Sequence, residues 1–134
     1  MSFFMTFILI FLDYFFIIFH TVFILFNLTG WMFRKTRKIH FATMLLTFFS
    51  WFILGIWFGW GYCFCTDWHW KVRTALGYAN GSRSYIHFLL NMILGVNLNE
   101  NLVINLTLFC FALCLALSIL LNTKDFISRR KNGQ

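Results

Sequence analysis

The residues best able to do chemistry stand close together in one stretch, positions 57–73, which reads WFGWGYCFCTDWHWKVR. The stretch brings thiol, hydroxyl, carboxylate and imidazole groups together at the point where a long apolar run ends. Thiolate, imidazole and carboxylate groups are the ligands that zinc and copper take in proteins. A redox or metal-handling site is therefore one hypothesis for this stretch. The residues of this predicted cluster are Cys63, Cys65, Thr66, Asp67 and His69.

Three further ionisable residues, Asp13, His20 and His40, lie within apolar segments. On insertion scales a charged side chain costs about 2.5–3.5 kcal/mol at the middle of a membrane, so each of the three indicates a partner or a functional site. Asp13 and His20 are seven residues apart and share one face of a helix. They suggest proton or small-solute transport as another hypothesis, although three helices make a poor pore unless the protein oligomerises.

The composition places these residues in an integral membrane protein. Of the 134 residues, 60% are hydrophobic and only 11% are charged, whereas about 25% of residues are charged in a soluble domain. The net charge of +7 comes mostly from basic residues at the ends of apolar runs. That placement is typical of topology signals and lipid-phosphate contacts rather than of nucleic-acid binding. We expect a single membrane domain, 1–134, with no nucleic acid as partner.

Three apolar runs are long enough to cross about 30 Å of hydrocarbon, which takes about 20 helical residues. We predict membrane spans at about 8–33, 39–62 and 102–122. The first run lacks a basic leader and a small-residue cleavage site, so we expect a retained span rather than a signal peptide. The segments 67–77 and 84–96 are predicted to lie at the membrane interface, because one is amphipathic and the other is too short.

Charge distribution predicts the orientation of the chain. The basic loop at 34–38 and the basic tail at 123–134 lie on the same side of the membrane only if the chain crosses three times. Since basic segments stay in the cytoplasm, the amino terminus is predicted outside and the carboxyl terminus inside. We therefore expect an all-α bundle of three transmembrane helices with interfacial helices on the outer face, and four spans as the alternative.

The predicted hairpin of the first two spans sets the depth of each ionisable residue. With the hairpin centred on Thr36, Asp13 lies beside the predicted cluster, His20 lies nearer the middle of the membrane, and His40 lies close to the cytoplasmic side. His20 and His40 are then too far apart to ligate one haem, at about 1.5 Å of depth per residue. We expect Asp13 to join a hydrogen-bond network that locks the first span to the segment 67–77, with a metal or proton-handling site as the alternative.

Several motifs resemble one known family as a set. They are GYCFCTDWHWKVR, the SYIHFLL before the last apolar run, HTVFILFNLTGW in the first run, and His40 at the start of the second. The set resembles the domain of unknown function 2784 family of small bacterial inner-membrane proteins, and its TDWHW variant is most similar to members from the Bacteroidetes. The family's usual motif has proline and leucine where this chain has Phe64 and Cys65. The resemblance implies a location and an architecture, and it singles out Asp13, His20, His40, Cys63, Thr66 and Asp67.

The content of phenylalanine leads to the main functional hypothesis. Three helices carrying most of twenty phenylalanines offer more apolar surface than so small a bundle can bury, although lipid could cover the surplus. We expect an uncharacterised small membrane protein that is a non-enzymatic accessory or interaction subunit of a larger complex. Its partners would be the lipid bilayer and other membrane subunits. We expect no cofactor, with copper, zinc or haem as alternatives, and we expect Cys110 and Cys114 to pack between helices.

Overall fold

The computed structural model describes residues 2–79 and 84–133, so positions 1, 80–83 and 134 of the sequence lie outside the described part. All regular structure in the described ranges is helical. A short 3-10 turn, Gly30–Met32, follows the first helix, and a π-helical stretch, Phe49–Leu54, joins the second helix to the third. The helices are α1 (Phe3–Thr29), α2 (Arg37–Phe48), α3 (Gly55–Phe58), α4 (Phe64–Ala75), α5 (Tyr85–Leu94) and α6 (Glu100–Asn132).

Three helical rods are long and apolar enough to cross a membrane. They are Phe3–Met32, Arg37–Phe58 and Glu100–Asn132. Helix α5 has ten residues, which span only about 15 Å and cannot cross the hydrocarbon core. For the described residues the predicted all-α membrane fold with three long helices is therefore confirmed. The described residues contain no fourth helix long enough to support the alternative of four spans.

The helices extend beyond the predicted spans at several ends. Helix α1 already begins at Phe3, where the hydroxyl of Ser2 caps it by accepting a hydrogen bond from the N–H of Met5. Helix α6 continues past residue 122 to Asn132. Hydropathy indicates which residues suit lipid, whereas caps and breakers determine where a helix ends. The basic tail therefore continues the last helix instead of forming a separate segment.

The second rod ends in a sharp turn that the sequence did not indicate. Gly59 and Gly61 have φ of 109° and 81°, a backbone conformation that favours glycine. The N–H of Gly61 donates to the carbonyl oxygen of Trp51 at 3.3 Å, and the hydroxyl of Ser50 donates to the carbonyl oxygen of Tyr62 at 2.8 Å. The turn is thus bonded back to the π-helical stretch, and it directs α4 across the end of the bundle. We call positions 57–73, which include this turn and the first part of α4, the elbow.

Small and polar side chains fill much of the space between the rods. The buried residues of α1 are Asp13 and His20. On α6 both Ser118 and Cys114 are buried, but Cys110 is exposed, so the prediction that both cysteines pack between helices is wrong for Cys110. Small residues let backbones approach closely, and polar ones bond across helices where lipid offers no partner. Such contacts join the rods together with the buried apolar side chains of Met44 and Val103.

Candidate functional site

Helix α4 crosses one end of the rods and packs against α1. Its residues 69 and 73 are four apart, so their side chains share one helix face. That face carries His69, which is fully buried, and Arg73, whose side chain is 14% exposed. Both point at Asp13, which is itself buried. The predicted contact between Asp13 and the segment after the second span is therefore confirmed.

Four side chains form what we call the Asp13 cluster: Asp13, His69, Arg73 and Tyr85. Nε2 of His69 lies 2.7 Å from Oδ1 of Asp13, and Nη1 of Arg73 lies 3.1 Å from the same oxygen. The hydroxyl of Tyr85, at the start of α5, lies 2.9 Å from Nδ1 of His69. The cluster therefore joins α1, α4 and α5.

A neutral His69 satisfies every contact in the Asp13 cluster. Protonated at Nε2, it donates to Asp13, and its Nδ1 accepts the hydrogen bond of the Tyr85 hydroxyl. Burial lowers the pKa of His69, although the hydrogen bond and the charge of Asp13 act in the opposite direction. Burial also raises the pKa of Tyr85. The charges of Asp13 and Arg73 then balance, as buried charges require.

Aromatic rings surround the Asp13 cluster. The ring of His69 stacks against Phe16 with centroids 5.4 Å apart and against Trp70 at 5.6 Å. The guanidinium of Arg73 lies 4.7 Å from the centroid of Phe88, which is cation–π contact. These rings lower the local dielectric constant and so strengthen the attraction between Arg73 and Asp13.

The other members of the predicted cluster do not join Asp13. Asp67 pairs with Lys71 at 2.9 Å on the surface, and Thr66 is half-buried. Cys63 and Cys65 are free thiols that line a groove beside His20, whose lining does not include Asp13. Burial raises the pKa of the Cys65 thiol to about 11, so this thiol is protonated at neutral pH. Of the residues predicted at the elbow, only His69 bonds to Asp13.

In the part of the chain that the structure describes, no group of three or more histidine, cysteine, aspartate or glutamate side chains is arranged to hold a metal ion. Zinc sites usually have three or four protein ligands. The geometry therefore lends no support to the copper and zinc hypotheses.

His40 lies at a different level from His20, as the hairpin register predicted. Its Nδ1 is 3.0 Å from the hydroxyl of Ser118, and its Nε2 is 2.8 Å from the carbonyl oxygen of Asn27. Asn27 is seven residues beyond His20 on α1, which is about 10 Å along the axis. His40 thus serves as a bridge between the three rods, and a haem ligated by both histidines is not supported.

His20 contacts the Asp13 cluster without bonding to it. Its ring stacks on the ring of Tyr85 with centroids 4.0 Å apart. The side chain is buried, and its Nδ1 has no hydrogen-bond partner among the described residues. His20 therefore differs from His40 and His69, whose two ring nitrogens are both bonded.

Two members of the Asp13 cluster, Arg73 and Tyr85, were missed by the sequence reasoning. A signal for Arg73 existed, because a residue four positions after His69 on an amphipathic helix shares its face. For Tyr85 the one signal was its place in the SYIHFLL motif, and its contact with His69 could not be predicted, since it depends on the path of the chain between α4 and α5.

Comparison with known proteins gives one match. The sequence profile of a family described as Protein of Unknown function (DUF2784) matches residues 10–123. No curated protein and no solved structure matches the chain. The matched range includes Asp13, His20, His40 and the whole of α4, but it brings no assigned activity.

Replacing Asp13 with asparagine should strongly destabilise the protein. The substitution keeps the shape of the side chain but leaves the buried guanidinium of Arg73 without its counter-charge, a change that typically costs about 3–5 kcal/mol. The measurement is the free energy of unfolding in mixed detergent micelles. Asp67→Asn is the matched control, because Asp67 belongs to an exposed pair, and its effect should be much smaller. Equal effects of the two substitutions would contradict the role given to Asp13.

Acidification should weaken the fold through His69. Its pKa in the folded protein lies below the ordinary value of 6.5, so unfolded chains bind the proton more readily as pH falls below about 6.5. The free energy of unfolding that the neutral form of His69 contributes is therefore fully present above that pH and is progressively lost as the pH falls below it. The unfolding free energy, measured between neutral and mildly acidic pH, should fall less steeply for His69→Gln, which keeps a donor to Asp13 but does not titrate. An unchanged slope in this variant would show that His69 does not titrate in this way.

Proposed function

The chain belongs to the DUF2784 family, and we propose that it is a non-enzymatic accessory or interaction subunit of a larger membrane complex. One observation carries this proposal: a row of exposed phenylalanines on α1 at intervals of four residues. Neighbouring rings of the row lie about 40° apart around the helix axis, so the row forms a continuous ridge that winds along α1. The members of this phenylalanine row are Phe3, Phe7, Phe11, Phe15 and Phe19.

The shape of the phenylalanine row suits a protein partner better than lipid. Phe15 and Phe19 stack with ring centroids 5.9 Å apart, at an angle of 15°. Such rings have few rotatable bonds and form a rigid surface of defined shape. Because lipid tails are as apolar as the rings, helices associate in membranes through close packing of shapes rather than through the hydrophobic effect. Aromatic residues are also enriched at the centres of protein interfaces.

The polar groups of the chain support a structural role rather than catalysis. Asp13 is paired with Arg73, and His69 bonds through both ring nitrogens. At the opposite end of the rods, Arg37 pairs with Asp125 at 2.9 Å. These contacts hold the helices in place and leave their apolar outer faces to other molecules.

We further propose that the protein lies in a bacterial inner membrane with its amino terminus outside and its carboxyl terminus in the cytoplasm. The ion pair of Arg37 and Asp125 supports this, because it brings the basic loop and the basic tail to one end of the bundle. Two basic segments at one end favour the cytoplasmic side for that end. Helix α4 then lies on the outer face.

Cysteine labelling tests this orientation. With the four native cysteines replaced by alanine, Trp68→Cys should react with an impermeant maleimide in intact spheroplasts, since Trp68 is exposed on α4. Lys35→Cys, in the basic loop, should react only after lysis. The reverse pattern would overturn the proposed orientation.

The subunit proposal predicts that the phenylalanine row is needed for association. Phe7→Leu, Phe11→Leu and Phe15→Leu, combined in one chain, keep the surface apolar for lipid but remove the rings. Purification of this variant from native membranes in mild detergent should recover several-fold less of the partner that accompanies the unchanged protein.

The control for this experiment is Phe109→Leu. The side chain of Phe109 lies on α6 and is 61% exposed, which is close to the exposure of Phe7 and Phe11. This variant should keep the partner. If the unchanged protein runs alone, or if the triple variant keeps its partner in full, the subunit proposal fails.

A further inference from the structure

A groove of about 140 Å³ lies between α1, the second rod and the start of α4. Its walls are mainly apolar and include four aromatic rings besides the imidazole of His20, and the two thiols of the elbow lie on its lining. The residues that matter here are Phe19, His20, Trp51, Cys63, Phe64 and Cys65. No charged side chain is found among its described lining residues.

His20 is the unusual member of this lining. Other polar side chains of the groove are already bonded: the hydroxyl of Ser50 donates to the carbonyl oxygen of Tyr62, and that of Thr47 donates to the carbonyl oxygen of Thr43. The Nδ1 of His20 has no partner in the described part of the chain. A buried polar atom left without a hydrogen bond costs free energy, so a bonding group bound beside His20 would be favoured. The Nε of Arg73 also has no partner among the described residues, but Arg73 does not line this groove.

The ring of His20 can reach such a group without leaving its place. It stacks flat on Tyr85, at 22° between the ring planes. A half-turn about the bond between Cβ and Cγ keeps that stacking and exchanges the positions of Nδ1 and Cδ2. Both orientations of the ring are therefore compatible with the contact to Tyr85, and in both the imidazole remains part of the groove lining.

The size and chemistry of the groove define the ligand. An apolar cavity of about 150 Å³ lined by hydrophobic side chains accepts benzene, so this groove suits one ring. The absence of charge along the described walls favours an uncharged ligand, since a charge would remain unpaired there. A hydroxyl group can both donate and accept, so it bonds to whichever nitrogen form the imidazole presents.

We propose that this groove is a binding site for an uncharged, lipid-soluble phenol whose hydroxyl group bonds to the imidazole of His20. The proposal does not depend on the subunit role. Phe19 belongs to both the row and the groove lining, but the substitutions that test the subunit role are at Phe7, Phe11 and Phe15, none of which lines the groove.

The two thiols of the groove report its occupancy. The purified protein in detergent is treated with N-ethylmaleimide at mildly alkaline pH, with and without 2,6-dimethylphenol, and alkylation of each cysteine is followed by mass spectrometry. The phenol should slow the alkylation of Cys63 and Cys65 several-fold. Alkylation of Cys110, which is exposed on α6, should not change.

Two comparisons tie this protection to His20. The methyl ether 2,6-dimethylanisole has nearly the same shape but no hydroxyl donor, and it should protect the thiols far less. His20→Phe keeps a flat ring on Tyr85 but removes the bonding nitrogen, and it should abolish the protection by the phenol.

The proposal is overturned if the phenol does not slow the alkylation of Cys63 and Cys65. It is also overturned if the alkylation of Cys110 is slowed equally, because Cys110 lies on a different groove and the protection would then not be specific to the groove of His20. Equal protection by the ether, or undiminished protection in His20→Phe, would also overturn it. The comparison of phenol and ether uses the unchanged chain, so the outcome is decided even if the His20 variant does not fold.

Discussion

A carboxylate inside an apolar helix must find its counter-charge within the protein, and the rest of this fold follows from how Asp13 does so. Its partners, His69 and Arg73, both belong to α4. Helix α4 is too polar to enter the hydrocarbon, yet its paired face must lie against α1. The pairing therefore fixes α4 across the end of the rods, and Tyr85 extends the same network to α5.

Much of this architecture could be predicted from the sequence, because hydropathy and charge act over long segments. The three apolar runs predicted the three rods, and the register of the hairpin predicted that Asp13 lies beside the elbow. The register followed from chain geometry alone, since two antiparallel helices joined by a short loop pair residues at a constant sum of positions. The π-helical stretch and the glycine turn after it were beyond prediction, because they depend on tertiary bonds such as that from Gly61 to Trp51.

The predicted cluster at the elbow was too broad for a reason that helix geometry explains. Successive residues of an α-helix are about 100° apart, so Asp67 and His69 point to nearly opposite sides. His69 therefore faces Asp13, whereas Asp67 faces outward to Lys71. Proximity in sequence suggested a shared site, while the periodicity of α4 separates its members. The same periodicity is what adds Arg73 to the face of His69.

The distribution of hydrogen bonds gives His20 its separate position in the molecule. Inside a membrane no water is present to form hydrogen bonds with a polar side chain, so such side chains usually form their hydrogen bonds within the protein. His40 and His69 obey this rule at both ring nitrogens. His20 sits on the same helix as Asp13, two turns away and in contact with Tyr85, yet its Nδ1 has no partner among the described residues. A histidine serving only to hold helices together would be expected to bond across them, as His40 does. The imidazole of His20 faces a groove instead, which is the arrangement that a bound molecule would complete.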